Sequence, residues 1–133
     1  MELFDLAKML AEKSDNTKAR LGAVLIRKNE ILARSPNYAR KSHPLQQQYN
    51  RFREGKHTRH ALHAEIGALA KVGYTDLEKL KDATVYISRI RLDGSYGLAR
   101  PCPACMNALF DFGVRKAYYT TDKGFAKEVI VRV

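Results

Sequence analysis

With 133 residues, 45% of them apolar, the chain has the size of one ordinary domain and can bury a core without covalent staples. It holds only two cysteines, which excludes a disulfide framework, and no apolar run approaches the ~20 residues of a membrane-spanning helix. The formal net charge of +10 draws anions such as phosphates toward the surface.

Residues 2–14 read as an amphipathic helix, with Leu3, Leu6 and Leu10 on one face. The acidic residues Glu2 and Asp5 at this end do not make a signal peptide, so the expected setting is cytoplasmic and reducing. Leu21–Ile26 (LGAVLI) is a short apolar run and predicts a buried strand. A turn at Arg27 to Glu30, with Asn29 suited to it, returns the chain as a second strand over Ile31–Arg34.

Residues 35–61 show no strong period and contain Pro36, Pro44 and Gly55. So long a loop in a compact domain is functional or hides a minor helix, and Gln46–Arg53 can supply one. The stretch from Arg34 to His60 is also the most basic, with seven Lys or Arg against the single acid Glu54. One reading is a solvated surface. The other is a phosphate-binding loop in which Tyr38, Tyr49 and Phe52 interleave with Arg40, Lys41, Arg51 and Arg53 and stack on bases. Under the bland alternative Tyr49 and Phe52 pack inward.

LHAEIGALAKV, from Leu62 to Val72, is apolar nearly all round and predicts an interior helix stopped by Gly73. Ala83–Ser88 (ATVYIS) predicts a strand, and Pro103–Phe112 a second buried helix closed by Gly113. Val114–Thr120 and Glu128–Val133 finish the chain as strands. The order is α-β-β-α-β-α-β-β, which predicts one α/β domain over residues 1–133 with helices on both faces of a mixed sheet. About seven residues separate the last two strands, too few for a parallel crossover, so those strands are expected to be antiparallel.

Two segments carry chemistry: His63-Ala64-Glu65 and Pro101-Cys102-Pro103-Ala104-Cys105. One imidazole and two thiolates make three zinc (Zn2+) ligands, and a catalytic zinc keeps its fourth position open for water. Proline is welcome at the first position of a helix, so Pro103 places Cys102 at a helix start. Orphan amides and the positive end of the helix dipole favour thiolate there. His63 opens the other buried helix in the same way, and Glu65 reaches a metal-bound water without ligating. Taken singly, the C-x-x-C pair is equally a redox pair or half of a structural zinc site, and His57 or His60 is a candidate fourth ligand. Together the segments match the H-x-E and P-C-x-x-C pattern of zinc enzymes that deaminate nucleobases.

At these residues the chain resembles the cytidine deaminase superfamily. The similarity runs from LGAVLIRKNEILARSPN through LHAEIGAL to RPCPACMNALFDFGVRKAYYT. The resemblance implies a three-layer α/β/α sandwich around a five-stranded sheet and homo-oligomeric assembly. It implies His63, Cys102 and Cys105 as zinc ligands and Glu65 as proton shuttle. It also implies Asn37 as a contact for the substrate sugar, and the N–H of Ala64 as a contact for the base carbonyl. HAEIGAL is similar to the motif of tRNA adenosine deaminases as well, and PCPAC with FGVRKAYYT to deoxycytidylate deaminases. The short final connection resembles the branch of free cytidine deaminases and some DNA-acting enzymes. The leading expectation is deamination of a free cytosine nucleoside or nucleotide. The alternative is a deaminase of single-stranded DNA or RNA that uses the basic loop 34–60. A non-enzymatic zinc-stabilised nucleic-acid-binding module is a third reading, and Glu65 argues against it because a structural site needs no general base.

Overall fold

The computed structural model describes residues 3–52, 61–73 and 76–133. Helix α1 (Leu3–Ala11) is followed by strands β1 (Arg20–Arg27) and β2 (Glu30–Pro36). These two strands form an antiparallel hairpin. Lys28 and Asn29 turn it with φ of 50° and 66°, the left-handed pair that matches the twist of tight hairpins. Helix α2 (Pro44–Tyr49) runs into a 3-10 turn at Asn50–Phe52, which together fill the minor helix expected at Gln46–Arg53. Residue 53 and the rest of the basic loop through 60, including His57 and His60, lie outside the described residues.

Helix α3 (Ala64–Val72) and a four-residue helix α4 (Leu77–Leu80) precede strand β3 (Thr84–Ile90). A two-residue strand β4 (Tyr96–Gly97) folds back on β3. Then come helix α5 (Pro103–Asp111), strand β5 (Lys116–Thr121) and strand β6 (Gly124–Val129). The sheet order is β2-β1-β3-β5-β6 with β4 paired to β3. Among the described residues only β3 and β5 are parallel, bridged by α5, and the other pairs are antiparallel. The mixed sheet therefore has the five expected strands plus the short β4.

The last strand differs from expectation in position. It forms at Gly124–Val129, not at Glu128–Val133, so the connection is the two-residue turn Asp122-Lys123. Its antiparallel pairing stands. The β-branched run at the end of the chain misleads: Ile130 is only 2% exposed and drops into the core, and its N–H bonds to the Arg115 carbonyl. The strand itself alternates half-buried and exposed residues, as a sheet edge with one covered face does.

Two clusters define the layers. On one face Ala7, Leu10 and Val24 pack together, with Tyr86 against them. Here α1 lies so close to the sheet that a Cβ on Gly22 would stand 2.1 Å from the Ala7 carbonyl oxygen. On the other face Leu25, Val85 and Ile87 share a core with Ile66 and Leu69 of α3 and with Met106 and Leu109 of α5. Tyr49 joins this core at 4% exposure and donates to Asp111 Oδ2 at 2.6 Å. Helices α3 and α5 touch each other on this face. Among the described residues, no helix is long and apolar enough to cross a membrane.

Candidate active site

His63 and Cys102 are the N-cap residues of α3 and α5, both in extended backbone conformation. Each sits where the first amides of its helix have no intrahelical acceptor. Pro103 holds the first helical position of α5, and the Cys102 carbonyl accepts from Met106 N at 2.8 Å. Cys105 follows three residues later, one helical turn on and fully buried. The entry to α3 is fixed from two sides. Leu62 and Tyr38 exchange backbone hydrogen bonds of 2.8 Å. The amide of His63 donates to Oε1 of Gln46, a completely buried side chain whose Nε2 donates in turn to Asn50 Oδ1.

The donor atoms of His63, Cys102 and Cys105 all lie within 4.8 Å of one another. His63 Nδ1 is 3.2 Å from Cys105 Sγ and 3.5 Å from Cys102 Sγ. Tetrahedral zinc bonded to nitrogen and sulfur at their usual lengths separates those atoms by roughly 3.5 Å, so the residues present fit the metal. The Cys102 thiol is pushed down to about 4, chiefly by its hydrogen bond with Cys105 and further by His63, against the opposing effect of burial. Burial pushes the Cys105 thiol well up. Metal ligation needs both sulfurs as thiolates, so a divalent cation binding here releases any proton they carry.

Glu65, in the first turn of α3, is 4% exposed. Burial raises its pKa above the ordinary carboxylate value, and the charge of His63 works against that rise. It lines a cavity of about 320 Å³ together with His63, Ala64, Cys102, Asn37 and Tyr38. Ala64 is the first residue of α3, so its N–H is not used by the helix's own ladder. Asn37 is 8% exposed, and its amide also works for the backbone: Oδ1 accepts from Leu21 N at 2.9 Å and Nδ2 donates to the Ala19 carbonyl at 2.8 Å. One lone pair and one N–H of that amide remain for a ligand.

All six residues expected at the site therefore border the same cavity or its metal-binding corner. The aromatic residues of the basic segment are divided. Tyr38 faces the cavity and lies under Lys41 Nζ at 4.7 Å from its ring centroid, whereas Tyr49 is in the core and is not offered to a base. Phe52 is half-buried against that core, with Arg51 over its ring. Sequence reasoning missed Gln46, Arg89 and Arg100. The last two also line the cavity. Arg100 stands two positions before Cys102, a signal that was available; Arg89 has no such marker.

The family description "Cytidine and deoxycytidylate deaminase zinc-binding region" matches residues 1–121. No curated protein sequence matches the chain significantly. Among solved structures, the dCMP deaminase of cyanophage S-TIM5 in its apo form superposes with a TM-score of 0.63 at 22% identity, covering 90% of this chain and 79% of that one. The complex of the same phage enzyme with dCMP and dUMP gives 0.62 at 22% identity, covering 89% and 77%. RibD of Acinetobacter baumannii gives 0.53 at 21% identity, covering 90% of this chain but 27% of that one. At these identities the structures establish the shared fold. The family match spans most of the chain and takes in both metal-binding segments, so the chain belongs to the cytidine and deoxycytidylate deaminase family of zinc enzymes.

Proposed function

We propose that residues 1–133 form one catalytic domain that hydrolyses the exocyclic amine of cytosine in a free nucleoside or nucleotide, giving the uracil product and ammonia. The observation that carries this reading is the meeting of a His/Cys/Cys metal triad and a buried carboxyl, Glu65, in one cavity. The cavity volume lies at the small end of the range for small-molecule sites, which favours a single nucleoside unit over a polynucleotide.

His63, Cys102 and Cys105 would hold zinc, which when bound would make a water a nucleophile near neutral pH by lowering its pKa. Glu65 Oε would take one proton from the attacking water and deliver it to the ring nitrogen beside the carbon under attack. Glu65 would then take the remaining proton from the hydroxyl added to the carbon and pass it to the amine, which leaves as ammonia as the C–N bond breaks and the carbonyl forms. A carboxyl that makes and accepts protons in turn works best with a pKa nearer the operating pH, and burial moves Glu65 in that direction. The N–H of Ala64, outside the helix's own ladder, would donate to the base carbonyl. Asn37, held by Ala19 and Leu21, presents its remaining amide valences to the sugar.

The test is product mass analysis on zinc-loaded protein over cytidine, deoxycytidine, their 5′-monophosphates, and single-stranded DNA and RNA. A mass gain of about one unit with ammonia release on a free nucleoside or nucleotide is the expected result, because the exchange replaces NH by O. Turnover confined to the polynucleotides, or to none of the panel, overturns the reading.

A further inference from the structure

Helix α2 is short, and two of its three buried side chains end in polar groups. Leu45, Gln46 and Tyr49 are the buried ones, and Gln46 is 0% exposed. An interior carboxamide costs stability unless its hydrogen bonds are made, and an apolar side chain would fill the place without that demand. Gln46 makes them at one side of the metal site. Its Oε1 accepts from the His63 amide at 2.9 Å, and its Nε2 donates to Asn50 Oδ1 at 2.8 Å. The His63 amide stands at the start of α3, where the helix itself offers no acceptor.

Tyr49 reaches the other helix that carries metal-binding residues. Its hydroxyl donates to Asp111 Oδ2 at 2.6 Å. Asp111 is the last residue of α5, where a carboxylate meets the negative end of the helix dipole. Arg132 answers the same carboxylate on Oδ1. Burial pushes the Asp111 carboxyl up, yet the hydrogen bonds from Tyr49 and Arg132 together outweigh it and hold the group below its ordinary value. The six residues of α2 thus tie the entry of α3, at His63, to the far end of α5, the helix of Cys102 and Cys105. His63 Nδ1 stands 3.2 Å and 3.5 Å from the two sulfurs, close to the roughly 3.5 Å that tetrahedral zinc demands.

We propose that helix α2 is a brace for the metal site, with Gln46 and Tyr49 as positioning residues that set the approach of His63 to the cysteine pair. Neither side chain ligates the ion. Gln46 acts through the backbone of His63, and Tyr49 acts through the end of α5. The inference rests on zinc belonging to this corner of the deaminase site and not on which cytosine compound is turned over.

The test is zinc affinity of the full chain, measured by chelator competition, together with the visible absorption of its cobalt(II) form, which reports ligand geometry. Gln46→Met keeps the length of the side chain and removes the acceptor. It should weaken zinc binding by roughly 10- to 100-fold, the usual cost of losing a group that orients a ligand, and should shift the cobalt bands. Gln46→Glu keeps an acceptor for His63, and Asn50 can turn its amide to donate to the new oxygen, so most of the affinity should return. Tyr49→Phe removes only the hydroxyl and should weaken zinc binding in the same direction by a smaller factor. Parental affinity and bands in Gln46→Met overturn the proposal. So does a Gln46→Met protein that melts lower with and without metal by the same amount, because a residue that only packs changes stability and leaves affinity alone. Should Gln46→Met not fold, Tyr49→Phe decides: weaker zinc binding supports the brace, and parental affinity with parental bands overturns it. Failure of the two readings can be told apart. Ammonia release from a chain whose Gln46→Met variant binds zinc as the parent does keeps the deaminase and removes the brace. Weakened zinc binding in that variant, with no ammonia release by the parent from any cytosine compound, does the reverse.

Discussion

His63 and Cys102 hold the same position, the N-cap, on two different helices, and neither side chain caps its own helix. An N-cap side chain ordinarily stabilises its helix by about 1 kcal/mol through a bond to a first-turn amide. Here both side chains turn instead toward Cys105 Sγ. The cap contribution is given up in exchange for a metal position shared by α3 and α5. Cys102→Ser and Cys105→Ser should each reduce bound zinc well below one per chain by elemental analysis and abolish turnover. A strong chelator should lower the melting temperature of the unaltered protein, because a tightly bound ion adds several kcal/mol to folding at concentrations ~1,000-fold above its Kd.

Glu65→Gln separates proton transfer from metal binding. The substitution keeps shape and removes the base. We expect kcat to fall by roughly 10²- to 10⁴-fold, the usual worth of a positioned general acid–base, while zinc content stays the same. Burial already disfavours the charged carboxylate, so the metal-free variant should be at least as stable as the parent toward urea. Loss of zinc together with activity would assign Glu65 to the metal and not to the proton.

Gly22→Ala tests the opposite layer. The added methyl meets the Ala7 carbonyl oxygen and the Ala11 backbone nitrogen, neither of which is a flexible side chain that can swing away. A cost of about 2–3 kcal/mol is expected, read as a melting point lower by several degrees. Because α1 lies on the face away from α3 and α5, zinc stoichiometry in the folded fraction should not change.

Acid sensitivity should report on the Arg100–Glu128 pair. The hydrogen bond from Arg100, opposed by partial burial and aided by Tyr119, holds the Glu128 carboxyl below its ordinary 4.5. A depressed folded-state pKa stabilises above the unfolded value, and that contribution is lost as the pH falls through the folded value. Glu128→Gln should therefore flatten the decline in urea midpoint below about pH 4.5. The effect should be about 1 kcal/mol or less, because the pair is partly open to solvent.

Most of the sandwich was legible because its long elements carry strong patterns: LGAVLI, LHAEIGALAKV and Pro103–Phe112 form where their apolar runs and the glycines that close the two helices put them. Helix α4 was not legible, since four residues are too few to show a helical period. Strand β4 has two residues and exists only because β3 offers it a partner. The final strand was misplaced because β-branching in VIVRV was stronger than the alternation in GFAKEV, and local propensity cannot see that Ile130 has a core site waiting. At the cavity, the metal-binding triad and Glu65 were legible from spacing. Gln46 and Arg89 were not, because each acts across the fold on segments 17 and more residues away.

Gln46 has a consequence for the protein between turnovers. Enclosed and cut off from solvent, its carboxamide would have nothing to replace the His63 amide if the two separated. The imidazole backbone is thus anchored by the interior and does not depend on the ion for its location. A protein stripped of metal should keep this ligand poised, so that reloading needs no refolding of the entry to α3.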